Sequence, residues 1–175
     1  LNGNGKSYGM DFFVEDRSIS DNLTTTLSYS YNHSRRRYLQ YLDYVQPQYA
    51  TAHNMSVSLK YSLPQIKCIL GLSQNIASGR PYTDPTKPGK LQFLTKPYLS
   101  TGMNVSFLAS PSVIVYASVT NLFNRHNIYN YDYVKNHSAN SGYLRRPVES
   151  SRDRFFYIGI FISLKKSHAY EISNF

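Results

Sequence analysis

Two proline-containing turns, Leu63-Pro64-Gln65-Ile66 and Ala109-Ser110-Pro111-Ser112, each join two long segments of alternating polarity. Proline suits the second position of a tight turn because its ring presets φ. A long connection follows each joined pair, over residues 77–98 and 125–154, and another spans 32–52. Alternating tight turns with long connections constrains a chain to an antiparallel meander. All the turns then lie at one end of the sheet and all the loops at the other.

The segments themselves read as strands. In 53–63, Met55, Val57, Leu59, Tyr61 and Leu63 alternate with Asn54, Ser56, Ser58, Lys60 and Ser62. Period two places the first set on one face and the second on the other. In 23–31, Leu23, Thr25, Leu27, Tyr29 and Tyr31 alternate with Thr24, Thr26, Ser28 and Ser30. The same logic places strands at 7–15, 67–76, 99–108, 113–124 and 155–164. The expected fold is therefore all-β, an antiparallel meander of about seven long strands. In 113–124, Val113, Val115 and Val119 compete with Ile114 and Tyr116 for the apolar face, and periodicity leaves that choice open.

Strand length and face chemistry point to a membrane. Globular strands average about five or six residues, whereas about ten tilted residues cross a hydrocarbon core. One face is apolar and uncharged; the other carries hydroxyls, amides, glycine and an occasional charge. That pattern fits lipid outside and a wet lumen inside, as in outer-membrane barrels with short periplasmic turns and long extracellular loops. A soluble β-sandwich also alternates, but it fits poorly with three long connections, since structureless loops beyond about 12 to 15 residues are uncommon. The 17 Tyr and 9 Phe suit the two membrane–water interfaces. No run approaches the roughly 18 apolar residues of a membrane helix, and 1–4 is too polar for a signal peptide.

Charge follows the same division. The connections 32–52, 77–98 and 125–154 carry net charges of +2, +3 and +3, so nearly all of the formal +9 lies in the loops. Arg35-Arg36-Arg37 with Tyr38, Tyr41 and Tyr44 has the residue types that bind phosphates and stack on bases. Its position between membrane-like strands favours instead an external loop meeting lipopolysaccharide phosphates or a ligand, with no nucleic-acid partner. Cys68 lies in an apolar strand, which implies a buried or lipid-facing thiol. His33, His53, His126, His137 and His168 show no metal-ligand spacing. No nucleophile elbow, phosphate-binding glycine loop or paired carboxylates on one strand appears. The expectation is a protein that is not an enzyme, with no cofactor, metal or catalytic residue.

Four pieces together resemble the TonB-dependent receptors of Gram-negative outer membranes, in the Bacteroidetes type. They are Gly5-Lys6-Ser7-Tyr8-Gly9-Met10-Asp11, Leu27-Ser28-Tyr29-Ser30-Tyr31, Ser78-Gly79-Arg80-Pro81-Tyr82-Thr83 and Val119-Thr120-Asn121-Leu122-Phe123-Asn124. The last, followed by a long loop and a final apolar strand, is the most specific. The resemblance covers nearly the whole chain. It implies that 1–164 is the C-terminal part of a plugged barrel of about 22 strands, with 165–175 as a tail. It further implies uptake of a large scarce ligand such as an iron chelate, a vitamin or a glycan.

By that resemblance the partners are outer-membrane lipid and lipopolysaccharide, an N-terminal plug, the remaining barrel strands and TonB. The plug and the TonB-contacting segment have no counterpart in this sequence, so a longer native protein or a gene remnant is expected, with transport not performed by this chain alone. The family's last strand ends on an aromatic residue, whereas here Phe175 follows an extra tail. Loop position alone makes Arg80, Tyr82, Tyr129, Tyr131 and Tyr133 the candidate ligand contacts. The alternatives are an oligomeric structural or adhesin-like barrel and a soluble all-β binding module.

Overall fold

A computed structural model describes residues 3–38, 43–136, 142–149 and 154–164. The expected tail, together with Tyr41, His137 and His168, lies outside the described residues. In chain order the strands are β1 (Asn4–Ser20), β2 (Leu23–Arg37), β3 (His53–Leu63), β4 (Cys68–Ala77), β5 (Pro81–Tyr82), β6 (Phe93–Leu94), β7 (Tyr98–Ser110), β8 (Val113–Thr120), β9 (Ile128–Lys135), β10 (Tyr143–Glu149) and β11 (Phe155–Ile162). Seven of them form one antiparallel sheet in the order β1-β2-β3-β4-β7-β8-β11. The all-β meander expected from the sequence is present, and membership follows chain order without a crossover.

The three short connections lie together at one end. Asp21 and Asn22 join β1 to β2, and Pro111 and Ser112 join β7 to β8. Between β3 and β4, Pro64–Ile66 makes a single 3-10 turn, and Lys67 follows at φ 53° with its N–H donating to the Pro64 carbonyl at 3.1 Å. The long connections lie at the opposite end.

Cross-strand register carries the apolar face through the whole sheet. Phe12 faces Tyr29, Tyr29 faces Met55, and Met55 faces Ile76. Leu72 faces Met103, Met103 faces Val119, and Val119 faces Phe156. Directly opposed residues share a face, so register resolves the ambiguity in β8. Val113, Val115, Ala117 and Val119 lie on the apolar face, because they oppose Ile162, Ile160, Ile158 and Phe156. Gln74 and Thr101 interrupt this face and satisfy each other, with a Thr101 hydroxyl to Gln74 Oε1 bond of 2.5 Å.

The described residues leave most of this face at least partly exposed. Among the described residues, the buried hydrophobic side chains are Cys68 and Tyr82. Met10 is 66% exposed and Ile158 is 76% exposed. The opposite face is polar over most of β1 to β7, interrupted by Phe13, Ile69 and Leu108, with Ser56 donating to Asn75 at 2.9 Å and Ser7 donating to Asn32 at 3.3 Å. It turns apolar at the far edge, where Phe155, Tyr157 and Phe161 of β11 oppose Thr120, Ser118 and Ile114.

Three expectations change. β1 and β2 are longer than 7–15 and 23–31, so Arg35-Arg36-Arg37 belongs to a strand rather than a loop. The triplet is held there because β1 runs on to pair Gly5 with Arg36 and Asn4 with Arg37. The strand begun at Val113 stops at Thr120 rather than Asn124. Asn121 adopts φ 49° and Asn124 φ 52°, a left-handed conformation that Asn tolerates better than most residues. Asn121 stabilises the turn with its own side chain, donating to the Arg125 carbonyl at 2.9 Å and accepting from the Arg125 N–H at 3.0 Å. Finally, the long connections are not structureless. β5 pairs with β6 in one, and β9 pairs with β10 in another.

Candidate functional site

The five loop residues marked from the sequence come from two connections distant in sequence, and the structure brings them together. Arg80, Tyr82 and Asp84 alternate along the strand-like start of the first loop. Tyr129, Tyr131 and Tyr133 alternate along β9. Period two puts each set on one side of its segment, and the two sides face each other. The Arg80 guanidinium lies 5.2 Å from the Tyr129 ring centre. The rings of Tyr82 and Tyr131 are 4.8 Å apart and tilted by 55°. Tyr133 lies within electrostatic reach of Asp84.

Each side of this seam is positioned by its own local structure. In the first loop, the Arg80 N–H donates to Thr95 Oγ1 at 2.9 Å, and the Thr95 N–H donates to the Arg80 carbonyl at 2.9 Å. Gly79 permits this clamp, because a Cβ there would collide with the Thr95 carbonyl oxygen. Asp84 folds the following turn by accepting from the Thr86 N–H at 3.0 Å and its hydroxyl at 2.6 Å. Those bonds, the Thr86 hydroxyl first, hold the Asp84 carboxyl below its ordinary range. In the second loop, β9 pairs with β10 so that Tyr133 opposes Arg145 and Tyr131 opposes Pro147. Asn127 ties the start of this loop to the sheet, donating to the Leu99 carbonyl at 2.9 Å and accepting from the Leu99 N–H at 3.0 Å.

Besides Asp84, sequence reading missed three members of the cluster. Tyr98 stacks on Tyr129 at 6.0 Å. The Arg145 guanidinium sits 4.7 Å from the Tyr131 ring centre. Phe93 opposes Tyr82 across the β5–β6 pair, with ring centres 5.8 Å apart. The period-two tyrosines of 129–133 carried a signal that one side of this loop is aromatic. Nothing local named the partner of that side.

Burial divides the cluster into seam and wall. Tyr82 is only 8% exposed and lies inside the seam, so it holds the loops together rather than facing a ligand. The Tyr133 hydroxyl is closed off from solvent without a hydrogen bond of good geometry, near Asp84 and Arg145. Loss of water, and then the Asp84 charge, push its ionisation above the ordinary phenol range. Burial does the same to Tyr129, assisted by neighbouring Tyr98.

Two cavities open beside the seam. The first, about 380 Å³, has a floor of polar sheet residues, Ser28, Ser30, Asn54, Ser56 and Asn75. Its walls include Arg80, Lys96, Tyr98 and Tyr129. The second, about 780 Å³, runs from Ser7, Asn32 and Ser34 to Thr83, Tyr131 and Tyr133. Both lie on the hydroxyl-bearing face of the sheet, at the loop end. Hydroxyls and amides below, two cations and tyrosine rings above, equip the first cavity to hold a polar or anionic molecule by hydrogen bonds, ion pairing and ring stacking.

No protein-family model matches the sequence, and no curated protein matches it significantly. Among the described residues no group of three or more His, Cys, Asp or Glu converges to hold a metal. No helix of the described residues is long and apolar enough to cross a membrane, which says nothing of a β-barrel.

Proposed function

We propose that this chain is part of an outer-membrane receptor barrel of the TonB-dependent kind, its loop-end cavities contributing to capture of a large polar ligand. One observation carries the reading. The sheet carries one apolar face, uncharged from Tyr8 to Val14 on β1, from Leu23 to Tyr31 on β2 and along β3, β4, β7, β8 and β11, and among its described side chains only Cys68 and Thr101 are buried. On β3 this face runs from Met55 to Leu63, about 26 Å along the strand and about 20 Å deep once tilted as barrel strands are. Water penalises such a face, whereas lipid does not.

Three further features support the same reading. Short turns and long loops are segregated. The opposite face is polar over most of the sheet, as a wet lumen requires. The long loops fold over that polar face and build cavities there with Arg80, Lys96, Tyr98 and Tyr129. In this reading the rest of the barrel, a plug inside it and TonB supply what a seven-stranded sheet lacks, and outer-membrane lipid with lipopolysaccharide surrounds it. A second reading, an oligomeric barrel, draws on the two edges of the sheet: among the described residues β1 and β11 end it without pairing to each other.

Fractionation of expressing cells tests the proposal. The protein is expected in outer membranes after a carbonate wash. Release into the soluble fraction refutes it. Light scattering of the detergent-extracted protein separates the two barrel readings, because the oligomeric one requires several copies per particle.

A further inference from the structure

The basic end of β2 contains a split that its composition hides. Arg35, Arg36 and Arg37 are consecutive in a strand, so alternate members face opposite ways. Arg36 opposes Gly5, on the face of Ser7 and Ser34. Arg35 opposes Lys6 and Arg37 opposes Asn4, on the face that Tyr8 and His33 share two residues below. Lys6 and Arg35 are thus two cations placed directly across from each other, an arrangement that is destabilising when nothing offsets it. Among the described residues no carboxylate forms an ion pair with Lys6, Arg35 or Arg37.

Their surroundings define the missing counterpart. One Arg35 Nη donates to the Tyr44 carbonyl at 3.2 Å, and the Tyr44 hydroxyl donates to Asn4 Oδ1 at 2.9 Å. Tyr44 therefore reaches over this face and orients the guanidinium, which keeps further donors free, while Val45 next to it pairs with the Arg36 backbone in the plane of the sheet. Below the cations comes an aromatic row. Tyr8 stacks on His33 at 4.7 Å, and Tyr31 lies 5.2 Å from the His53 ring. On the same face, the continuous apolar surface begins with Met10, level with Tyr31, and continues below with Phe12 and Met55.

We propose that Lys6, Arg35 and Arg37 form a docking site on the outer wall for the phosphate-bearing headgroup of a membrane lipid, whose acyl chains run down the apolar face beneath. The proposal rests on the membrane reading above and adds a partner-specific site to it. The offsetting charge is anionic, because among the described residues no carboxylate pairs with the three cations on this face. It is lipid-borne rather than a free ion, because the cations cap the apolar face in register. The aromatic row between them sits where interfacial rings sit in barrels.

The protein extracted in dodecyl maltoside is titrated with lipid A in mixed micelles, and bound lipid is counted by native mass spectrometry. Arg35→Gln is expected to weaken lipid A about fivefold, and the Lys6→Gln/Arg35→Gln/Arg37→Gln triple variant on the order of a hundredfold. Arg36→Gln removes the same unit of charge from the opposite face and is expected to bind as the wild type does. Thermal melting of the lipid-free variants no lower than that of the wild type confirms that they fold, a rise being expected where Lys6 or Arg35 is neutralised. Lipid A binding by the triple variant within a factor of two of wild type overturns the site. So does an equal loss in Arg36→Gln, which reduces the effect to net charge. Displacement of lipid A by equimolar inorganic phosphate overturns the lipid assignment. A protein that fractionates as soluble defeats the membrane reading and this site together, whereas a membrane-bound protein whose triple variant retains lipid A defeats this site alone.

Discussion

Arginine substitutions along β3 test whether its apolar face meets lipid, and their costs follow from position. Leu59 lies midway between Met55 and Leu63, opposite Thr25 on β2 and Leu72 on β4. Four residues separate it from either end of the belt, about 13 Å along the strand and about 10 Å in depth at barrel tilt. Arginine at such a midplane position costs about 2–4 kcal/mol, falling to about 0–1 near the interfaces. Leu59→Arg should therefore shift the folding equilibrium by on the order of a hundredfold, and Met55→Arg and Leu63→Arg should shift it far less. Ser58, the next residue, faces the other way between Thr26 and Ser73. Ser58→Arg meets water in the lumen and should cost no more than about 0.5 kcal/mol. The assay is guanidinium unfolding in phosphatidylcholine vesicles, followed by circular dichroism and by tyrosine emission, which is readable because the chain lacks Trp. Neutral lipid keeps the added charge from gaining a headgroup partner. Equal costs at 58 and 59 would refute the assignment of faces. A cost at Leu63 matching that at Leu59 would refute lipid contact, because penalties inside a protein core track burial rather than depth.

The loop seam supplies three more expectations, and Cys68 at the turn end of the sheet a fourth. Gly79→Ala forces its new Cβ against the Thr95 carbonyl, so the Arg80 and Thr95 amides should exchange with deuterium at least about tenfold faster as their mutual bonds open; unchanged protection contradicts the clamp. In a double-mutant cycle, Tyr82→Ala with Tyr131→Ala should show a coupling of about 0.5–1.5 kcal/mol in loop protection, and additivity would dissociate the two rings. Tyr129 and Tyr133 both titrate above the ordinary phenol range of about 10. A raised folded value means the packed loops favour the neutral phenol, so their contribution to loop docking is complete below about pH 10 and is lost as pH rises through the raised values. Absorbance at 295 nm should resolve a late component that Tyr129→Phe and Tyr133→Phe each diminish, and a single transition matching that of the denatured chain contradicts their burial. Cys68, 8% exposed on the apolar face between Leu63 and Phe107, should resist a charged maleimide and react with a membrane-permeant one; equal rates contradict its shielding from water.

Period two makes most of the sheet readable from the chain alone. The span of β3 matches 53–63 because every second residue there is apolar and the intervening ones are polar, so a one-residue slip would invert both faces. The tight turns at Pro64 and Pro111 are readable for an equally local reason, the fixed φ of proline. From these two signals come the number of long strands, their antiparallel order, and the separation of turns from loops.

What lay beyond the sequence depends on groups far apart in it. The apolar face of β8 was decided by opposition to β7 and β11, because both of its faces carry large apolar side chains. The end of β8 was decided by the bonds Asn121 makes to Arg125, which hold a left-handed residue in place of a continued strand. The arginine triplet looked like loop because a charged run resembles one, yet pairing with β1 extends β2 through it and sends its members to opposite faces. Proximity made the seam from two tyrosine- and arginine-bearing loops. Alternation along 80–84 and 129–133 announced a side on each segment, and only the fold turned those sides toward one another. Side-chain periodicity is a property of neighbours in the chain, so the sequence determined the regularly alternating strands such as β3 and their faces. Register, the turn beyond Thr120 and the meeting of Arg80 with Tyr129 are properties of neighbours in space, and tertiary structure alone decided them.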